Sequence, residues 1–400
     1  MKSAVVSAAR AMERAARGQP ADAALDHGTV RNFLFLQYEQ ALGSAVHATP
    51  VFEALKAAAP DTHVAVACHG VSAEVLQHNP YIDRLIVTPN PYRQLFSAAR
   101  AIRRAWSALE PRCIVTTPGN TRTRIALLAV LCGRALRIGH TLAPALYHRV
   151  SRYDRSESLI HNTVLTLADA GLRASNVEPK VFFSSGDLMA ARRELAAHGL
   201  DGSRPLAVLV TQVSGGQPTR WHDERFLAVA EHLHERHGYA VAFVGTTGES
   251  AEIDRLRGRL SFSSLSLAGR LTVPSLSAVL CLADVGVALD TGPLHVGRAA
   301  GLPMVVIAPA WQPAIEWLPL GLDRFEILRG SDLPTAPAGY AIDEISAQAA
   351  IAAVDRLIAR YPPSASCRQE RVARSLAASG FGPAATAESA IFPAHEALPQ

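Results

Sequence analysis

Short, continuous apolar runs alternate along this chain with longer stretches of helical periodicity, and the pattern occurs twice. Residues 32–36 (Asn-Phe-Leu-Phe-Leu) read as a buried strand, and further strands are expected at 63–68, 84–88 and 113–117, with helices over 45–58, 72–78 and 94–109 between them. The pattern restarts at 205–211 and continues with strands at 239–245, 264–267, 285–289 and 303–307, separated by helices over 223–237, 249–260, 274–281 and 294–301. Strands that are apolar throughout, joined by helices, belong to parallel sheets covered on both faces. The expected fold class is therefore α/β, with two Rossmann-like doubly wound domains facing across a cleft, which is the default site. The domain reading is an N-terminal extension at 1–30, a first domain at 31–175, a linker region at 176–204, a second domain at 205–361 and a partly ordered tail at 362–400.

Composition narrows the class. With 49% hydrophobic and 18% charged residues the chain can bury a large core, which excludes a mainly disordered protein. The longest apolar candidate, 125–132, falls far short of the roughly 18 residues that span a bilayer. Residues 1–18 carry Arg10, Arg14 and Arg17 without the continuous apolar core of a secretory signal, and the five cysteines are scattered with no CxxC pair. The expectation is a cytoplasmic protein without disulfides or a zinc knuckle. Charge is uneven: residues 93–155 hold twelve arginines against two acids, a local +10 in a chain whose net charge is +4. Such a block suggests an anionic partner, or else a solvated helical face. Few aromatics interleave with it and no reading motif is present, so nucleic acid is not expected.

The most informative segment joins strand 285–289 to Asp290-Thr291-Gly292-Pro293-Leu294-His295. A strand that ends there and passes at once into a helix presents free backbone N–H groups and the positive end of the helix dipole to a phosphate. Gly292 permits close approach, Thr291 adds a hydroxyl, and His295 is expected on the same anion; an ordinary cap over a buried histidine is the alternative. After strand 205–211, the loop Thr211-Gln212-Val213-Ser214-Gly215-Gly216-Gln217-Pro218-Thr219-Arg220-Trp221 supplies hydroxyls and amides for a second phosphate, with Arg220 as charge partner. Glu249 and the run Leu267-Ala268-Gly269 lie on the same rim, where Glu249 would accept from ribose hydroxyls and the backbone of 267–269 would border a purine, unless they are a helix cap and a turn.

These residues resemble glycosyltransferase family 9, the heptosyltransferases of lipopolysaccharide core assembly, which have the GT-B fold. The likeness rests on the Asp290-Thr-Gly-Pro-x-His295 block continuing to Ala300-Gly301-Leu302-Pro303, the Arg220-Trp221 loop, Gly245-x-x-x-Glu249, Leu267-Ala268-Gly269, the first-domain loop 41–50 and the run 79–83. It implies an inverting, metal-independent transfer with no cofactor, from a nucleotide-sugar donor such as ADP-heptose in the second domain. The acceptor implied is an anionic saccharide or glycolipid against the first domain, where Arg122 and Arg124 are its expected contacts. Membrane contact would be at most peripheral, at the inner membrane. Two positions depart from the family pattern. Ser44 stands where the family has an aspartate base, so Glu39 or His47 (or His69) is expected to act instead. Thr219 stands where the family has a donor-phosphate lysine, and Arg220 is the expected substitute, although the two cations differ in geometry. The function expected is glycosyl transfer. The alternatives are an impaired relative that binds nucleotide sugar or glycan as a scaffold or partner subunit, and a nucleotide-sugar epimerase of GT-B shape.

Overall fold

The computed structural model describes residues 30–106, 112–175, 177–212 and 218–377. The extension at 1–29, loop residues 213–217 with Ser214 among them, and the tail from 378 lie outside the described residues.

Each half of the pattern forms one six-stranded sheet, and every pairing within it is parallel. The first lobe runs β1 (Asn32–Gln37), α1 (Leu42–Ala48), α2 (Pro50–Ala58), β2 (His63–Cys68), α3 (Val71–Leu76), β3 (Arg84–Val87), α4 (Leu95–Ala105), β4 (Arg112–Thr116), α5 (Thr123–Leu131), β5 (Leu136–Gly139), β6 (Arg149–Val150) and α6 (Leu159–Leu165). After α7 (Ser185–Ala196) the second lobe runs β7 (Leu206–Val210), α8 (Asp223–His237), β8 (Ala240–Phe243), α9 (Ser250–Arg257), β9 (Leu265–Ser266), α10 (Val273–Leu282), β10 (Val285–Leu289), α11 (Gly292–Ala300), β11 (Met304–Ala308), α12 (Ala314–Trp317), β12 (Phe325–Arg329), α13 (Ala347–Arg360) and α14 (Ala365–Ser375).

The strand orders are β3-β2-β1-β4-β5-β6 and β12-β11-β10-β7-β8-β9, the same winding in both lobes. In such sheets the order reverses between the first and fourth strands. The loops leaving those two strands diverge there, opening a crevice at the carboxyl edge. The first lobe's crevice lies between β1 and β4, the second's between β7 and β10.

Local chemistry fixes the elements. All six residues of β1 are buried, as a central parallel strand requires. Helix α8 opens on Asp223 and Glu224, closes on His234, Arg236 and His237, and stops at left-handed Gly238, in keeping with the helix dipole and with glycine's tolerance of that geometry. The single helix expected over 45–58 is two helices instead. Pro50 has no N–H to continue the ladder, and Thr49 turns its hydroxyl onto the Val46 carbonyl at 2.8 Å. Helix α1 also begins at Leu42, three residues earlier than expected, so Gly43 and Ser44 sit in its first turn and not in a loop. Strands β5, β6 and β12 were not apparent from the sequence pattern; β6 has two residues and β12 is only partly buried. The linker region contains α7, and residues 365–375 of the tail form α14. That helix folds back so that Arg368 meets Asp284 at 2.7 Å and Phe183 N–H donates to the Ser375 carbonyl.

The lobes pack closely. One apolar core runs from Val46, Phe52 and Leu55 to Leu276, Val279, Leu294 and Val296. Tyr153 donates to Glu316 across the lobes at 2.6 Å, and Lys180 of the connecting segment pairs with Glu53 at 2.7 Å. The first helices of the two crevices meet at glycines. A Cβ on Gly43 would stand 2.5 Å from the His295 ring, and one on Gly292 would stand 2.8 Å from Leu42 Cβ.

Candidate active site

At the first crevice, the loops leaving β1 and β4 wall a cleft of about 200 Å³ lined by Tyr38, Glu39, Gln40, Ala41, Ser44, Tyr92, Gly119 and Arg122. Glu39 is its only carboxylate. Four donors surround it: Asn120 Nδ2 at 2.6 Å and Thr117 Oγ1 at 3.3 Å on Oε1, Ser72 Oγ at 3.1 Å on Oε2, and the Gln37 amide nitrogen, turned toward the carboxylate, at 2.5 and 3.0 Å. Burial disfavours the charge, and it outweighs these hydrogen bonds, so the Glu39 pKa is pushed up to about 7. Gly119 lies against this side chain; a Cβ there would come within 2.9 Å of Glu39 Cγ. The result is a carboxylate held in one orientation that exchanges its proton near neutrality, the property a general base needs.

Ser44 is half-buried in the same cleft, and its hydroxyl cannot act as a base unaided. His47 is not among the lining residues. It lies 1% exposed beneath the other lobe, its ring 4.4 Å from that of His295 and stacked on Trp317 at 5.6 Å, and neither of its nitrogens has a partner among the described residues. Burial, with His295 and Arg298 nearby, holds its pKa well below the usual value, so it is neutral. His69 is half-buried, with Nδ1 2.9 Å from the Thr88 carbonyl. Arg122 lines the cleft and lies 5.3 Å from the Tyr92 ring centre, while Arg124 donates to the Pro91 carbonyl at 2.9 Å and is not among the lining residues.

The loops after β7 and β10, which flank the second crevice, carry Thr211 and Thr219, and Asp290, Thr291, Gly292 and Pro293, respectively. The β7 loop is pinned at both ends of its described part. Trp311 Nε1 donates to the Pro218 carbonyl at 2.9 Å, and buried Trp221 donates to the Ile345 carbonyl at 2.8 Å. Thr219 is fully buried, and neither its hydroxyl nor that of Thr291 has a partner among the described residues. Buried polar atoms are rarely left unpaired, so two orphan hydroxyls at one switch point suit a polar ligand. Thr211 Oγ1 takes a hydrogen bond from Gln212 at 3.3 Å.

Other expected contacts are placed differently. Arg220 is two-thirds exposed and is shared between Asp223 at 3.7 Å and Glu252 at 3.9 Å. His295, expected on a phosphate, is 4% exposed, and burial carries its pKa down to about 3, so it brings no positive charge. Burial pushes neighbouring Asp290 up to about 6, and the 3.5 Å between Asp290 Oδ1 and His295 Nε2 is a polar contact with a neutral imidazole, not an ion pair. On the rim, Glu249 accepts from the Thr246 N–H at 2.6 Å as part of a capping box. Leu267 and Ala268 point into the core, and Gly269 takes the left-handed conformation with its N–H on the Gly245 carbonyl, so this turn offers at most backbone.

The residues that hold Glu39 in place, Gln37, Ser72, Thr117 and Asn120, were not identified from the sequence. The turn Thr117-Pro-Gly-Asn120 at the end of a central strand was the available signal.

Two equally wound lobes with paired crevices, one holding a tunable carboxylate and the other a helix start with orphan hydroxyls, form the GT-B architecture. Comparison with known proteins agrees. Residues 120–310 match the model of glycosyltransferase family 9 (heptosyltransferase). The chain is 23% identical over 345 residues to lipopolysaccharide heptosyltransferase 3 of Escherichia coli, covering 79% of this chain and 96% of that protein. Its fold is shared with a glycosyl transferase family 9 crystal structure from Veillonella parvula (TM-score 0.75, 21% identity, 84% of this chain and 99% of that one). It is shared also with the E. coli ADP-heptose lipopolysaccharide heptosyltransferase II (TM-score 0.68, 15% identity, 83% and 99%). This chain is a glycosyltransferase similar in sequence and fold to the heptosyltransferases of family 9. Among the described residues no helix is long and apolar enough to cross a membrane.

Proposed function

We propose that this enzyme transfers a heptose, or a closely related sugar, from an ADP-linked donor to an anionic saccharide of a lipopolysaccharide-type glycolipid, with inversion and with Glu39 as the base. The reading is carried by Glu39, an ionisable group in the acceptor-side cleft whose pKa of about 7 suits proton removal at neutral pH. In the step proposed, Glu39 takes the proton of the acceptor hydroxyl as that oxygen bonds the anomeric carbon. The bond from that carbon to the donor phosphate breaks on the opposite face, and the diphosphate leaves with the electron pair. The start of α11 with the hydroxyls of Thr219 and Thr291 receives the diphosphate, in keeping with the favourable potential of a helix N-terminus. Arg122 meets an anionic group of the acceptor. Donor names among the relatives support ADP, since one similar structure is named for ADP-heptose.

Neither a metal nor a cofactor enters this step. Peripheral attachment to an anionic bilayer is supported by α4, which exposes Arg100, Arg103 and Arg104 with Phe96 three-quarters exposed beside them. Sedimentation with anionic and with neutral vesicles tests that attachment.

The function is tested in two steps. Thermal shift against ADP, UDP, GDP and CDP should show selective stabilisation by ADP; a ligand at 100 times its Kd contributes about 2.7 kcal/mol. ADP release from ADP-heptose is then followed with and without a phosphorylated core saccharide. Acceptor-dependent release is expected. Product formed without acceptor would mean an epimerase, and ADP binding without turnover a binding relative.

A further inference from the structure

The second sheet faces two environments. Helices α10 and α11 pack toward the first lobe, while α8 and α13 cover the far face over a separate apolar core. On that far face His232 and His237 of α8 converge on Asp355 of α13. Each Nε2 lies 2.7 Å from the same carboxylate oxygen, Oδ1. The two rings are 5.2 Å apart at 71°, and one donor atom from each of the three residues falls within a 4.8 Å span. His232 and His237 are about one-fifth exposed and Asp355 about half, so water has access to the same point. Neither crevice contributes a residue to this cluster. His234, on the same helix, is otherwise engaged, stacked on Phe262 at 3.8 Å and bonded by Arg204 at 2.8 Å.

We propose that His232, His237 and Asp355 bind one divalent transition-metal ion of the zinc–nickel–copper class, which clamps the C-terminal part of α8 to α13. Two imidazole nitrogens and one carboxylate oxygen are ligands of that class, and hard cations such as magnesium prefer oxygen alone. Metal–ligand bonds of about 2.0–2.2 Å set neighbouring ligand atoms roughly 2.9 Å apart in an octahedral site and roughly 3.4 Å apart in a tetrahedral one. From 2.7 Å each imidazole and the carboxylate need to part by roughly 0.2 Å for an octahedral site or roughly 0.7 Å for a tetrahedral one, which rotation about the side chains' own bonds supplies. Three protein ligands leave the remaining positions to water. The role is structural: the ion joins two helices that flank the donor lobe's outer core and touches nothing in the transfer step.

The test uses full-length protein without a polyhistidine tag, stripped with a chelator and titrated with Zn²⁺ by calorimetry, and in parallel with Co²⁺ by visible absorption. One equivalent is expected to bind, raising the thermal midpoint by several degrees at saturation. His232→Ala and His237→Ala should each weaken binding at least tenfold, and the double variant should lose that equivalent and the thermal rise together. Cobalt should give ligand-field bands without a thiolate charge-transfer band, since exposed Cys367 is the competing ligand. His232→Asn serves if the alanine variants fail to match wild-type circular dichroism without metal. An equivalent retained unchanged by the double variant, a thiolate band, or no binding at all overturns the assignment.

Discussion

Replacing Glu39 by glutamine separates a base from a structural hydrogen-bond acceptor, because the two roles predict opposite patterns in pH. In the folded protein the Glu39 pKa rises from the usual 4.5 to about 7, through burial. Its ionised form is therefore penalised by about 3 kcal/mol relative to the unfolded chain. The folded pKa lies above the unfolded one, so the associated stability is complete below about pH 4.5, declines as pH rises, and is lost above about pH 7. The share lost between pH 6 and pH 8 is about 1 kcal/mol, or roughly 2–4 °C in thermal midpoint for a lobe of this size. Glutamine does not titrate, so the variant lacks this slope. Its absolute stability is less telling, because an amide turns one N–H₂ toward Asn120 and Gln37 and forfeits part of the network, at about 1–3 kcal/mol. Thermal unfolding of both proteins at pH 6, 7 and 8 should show wild type losing ground to the variant as pH rises. Turnover of the variant should fall by about 10²–10⁴, and the wild-type limb in kcat/KM with an apparent pKa near 7 should vanish. A variant whose turnover stays within tenfold and whose stability follows the wild-type pH slope would refute Glu39 as the base.

At the second crevice, Thr219→Val should leave stability nearly unchanged, since the hydroxyl has no partner among the described residues, and should weaken ADP binding about 10- to 100-fold by calorimetry, the usual loss for a hydrogen bond to a charged group. Gly292→Ala puts a methyl group 2.8 Å from Leu42 Cβ and should cost about 1–3 kcal/mol. It should also part the lobes enough to raise the radius of gyration in X-ray scattering, and adding Leu42→Ala should reverse both effects. Arg122→Ala should raise the acceptor KM at least tenfold with donor Kd unchanged, while Arg124→Ala, whose guanidinium is spent on the Pro91 carbonyl, should change it less.

Much of the fold was legible because both sheets are wholly parallel, and buried parallel strands print as uninterrupted apolar runs. Strand β2 and helix α8 have the limits expected from the sequence. What escaped was held by tertiary context. Helix α1 starts at Leu42 and sets Gly43 against a histidine from the other lobe, a contact no local pattern records. His295 follows the glycine-rich turn like an anion ligand, yet closure of the lobes buries it against His47 and Trp317 and leaves it neutral. The His232–His237–Asp355 cluster was equally hidden, because its carboxylate comes 118 residues after His237 and meets the histidines only through the packing of two helices.

The departure at Ser44 can be followed to its physical consequence. A carboxylate in the first turn of α1 would stand at a helix N-terminus, where the dipole favours its charge and holds its pKa low. Glu39 instead leaves the end of β1 into a pocket without a formal positive charge among its hydrogen-bond partners, and burial raises its pKa until proton exchange falls near neutrality. A base at about 7 is the stronger proton acceptor but is only half ionised at neutral pH, whereas a low-pKa aspartate is fully ionised and weaker. Installing Ser44→Asp in wild type therefore sets two carboxylates in one cleft of about 200 Å³. Their repulsion should push the Glu39 pKa higher still. The pH–rate limb should move to higher pH, with turnover lowered at pH 7 and recovered toward pH 9. If the serine position is itself where the acceptor hydroxyl is deprotonated, the same substitution in Glu39→Gln should restore turnover with a limb well below pH 6. No rescue there, together with the upward shift in wild type, places the base at Glu39.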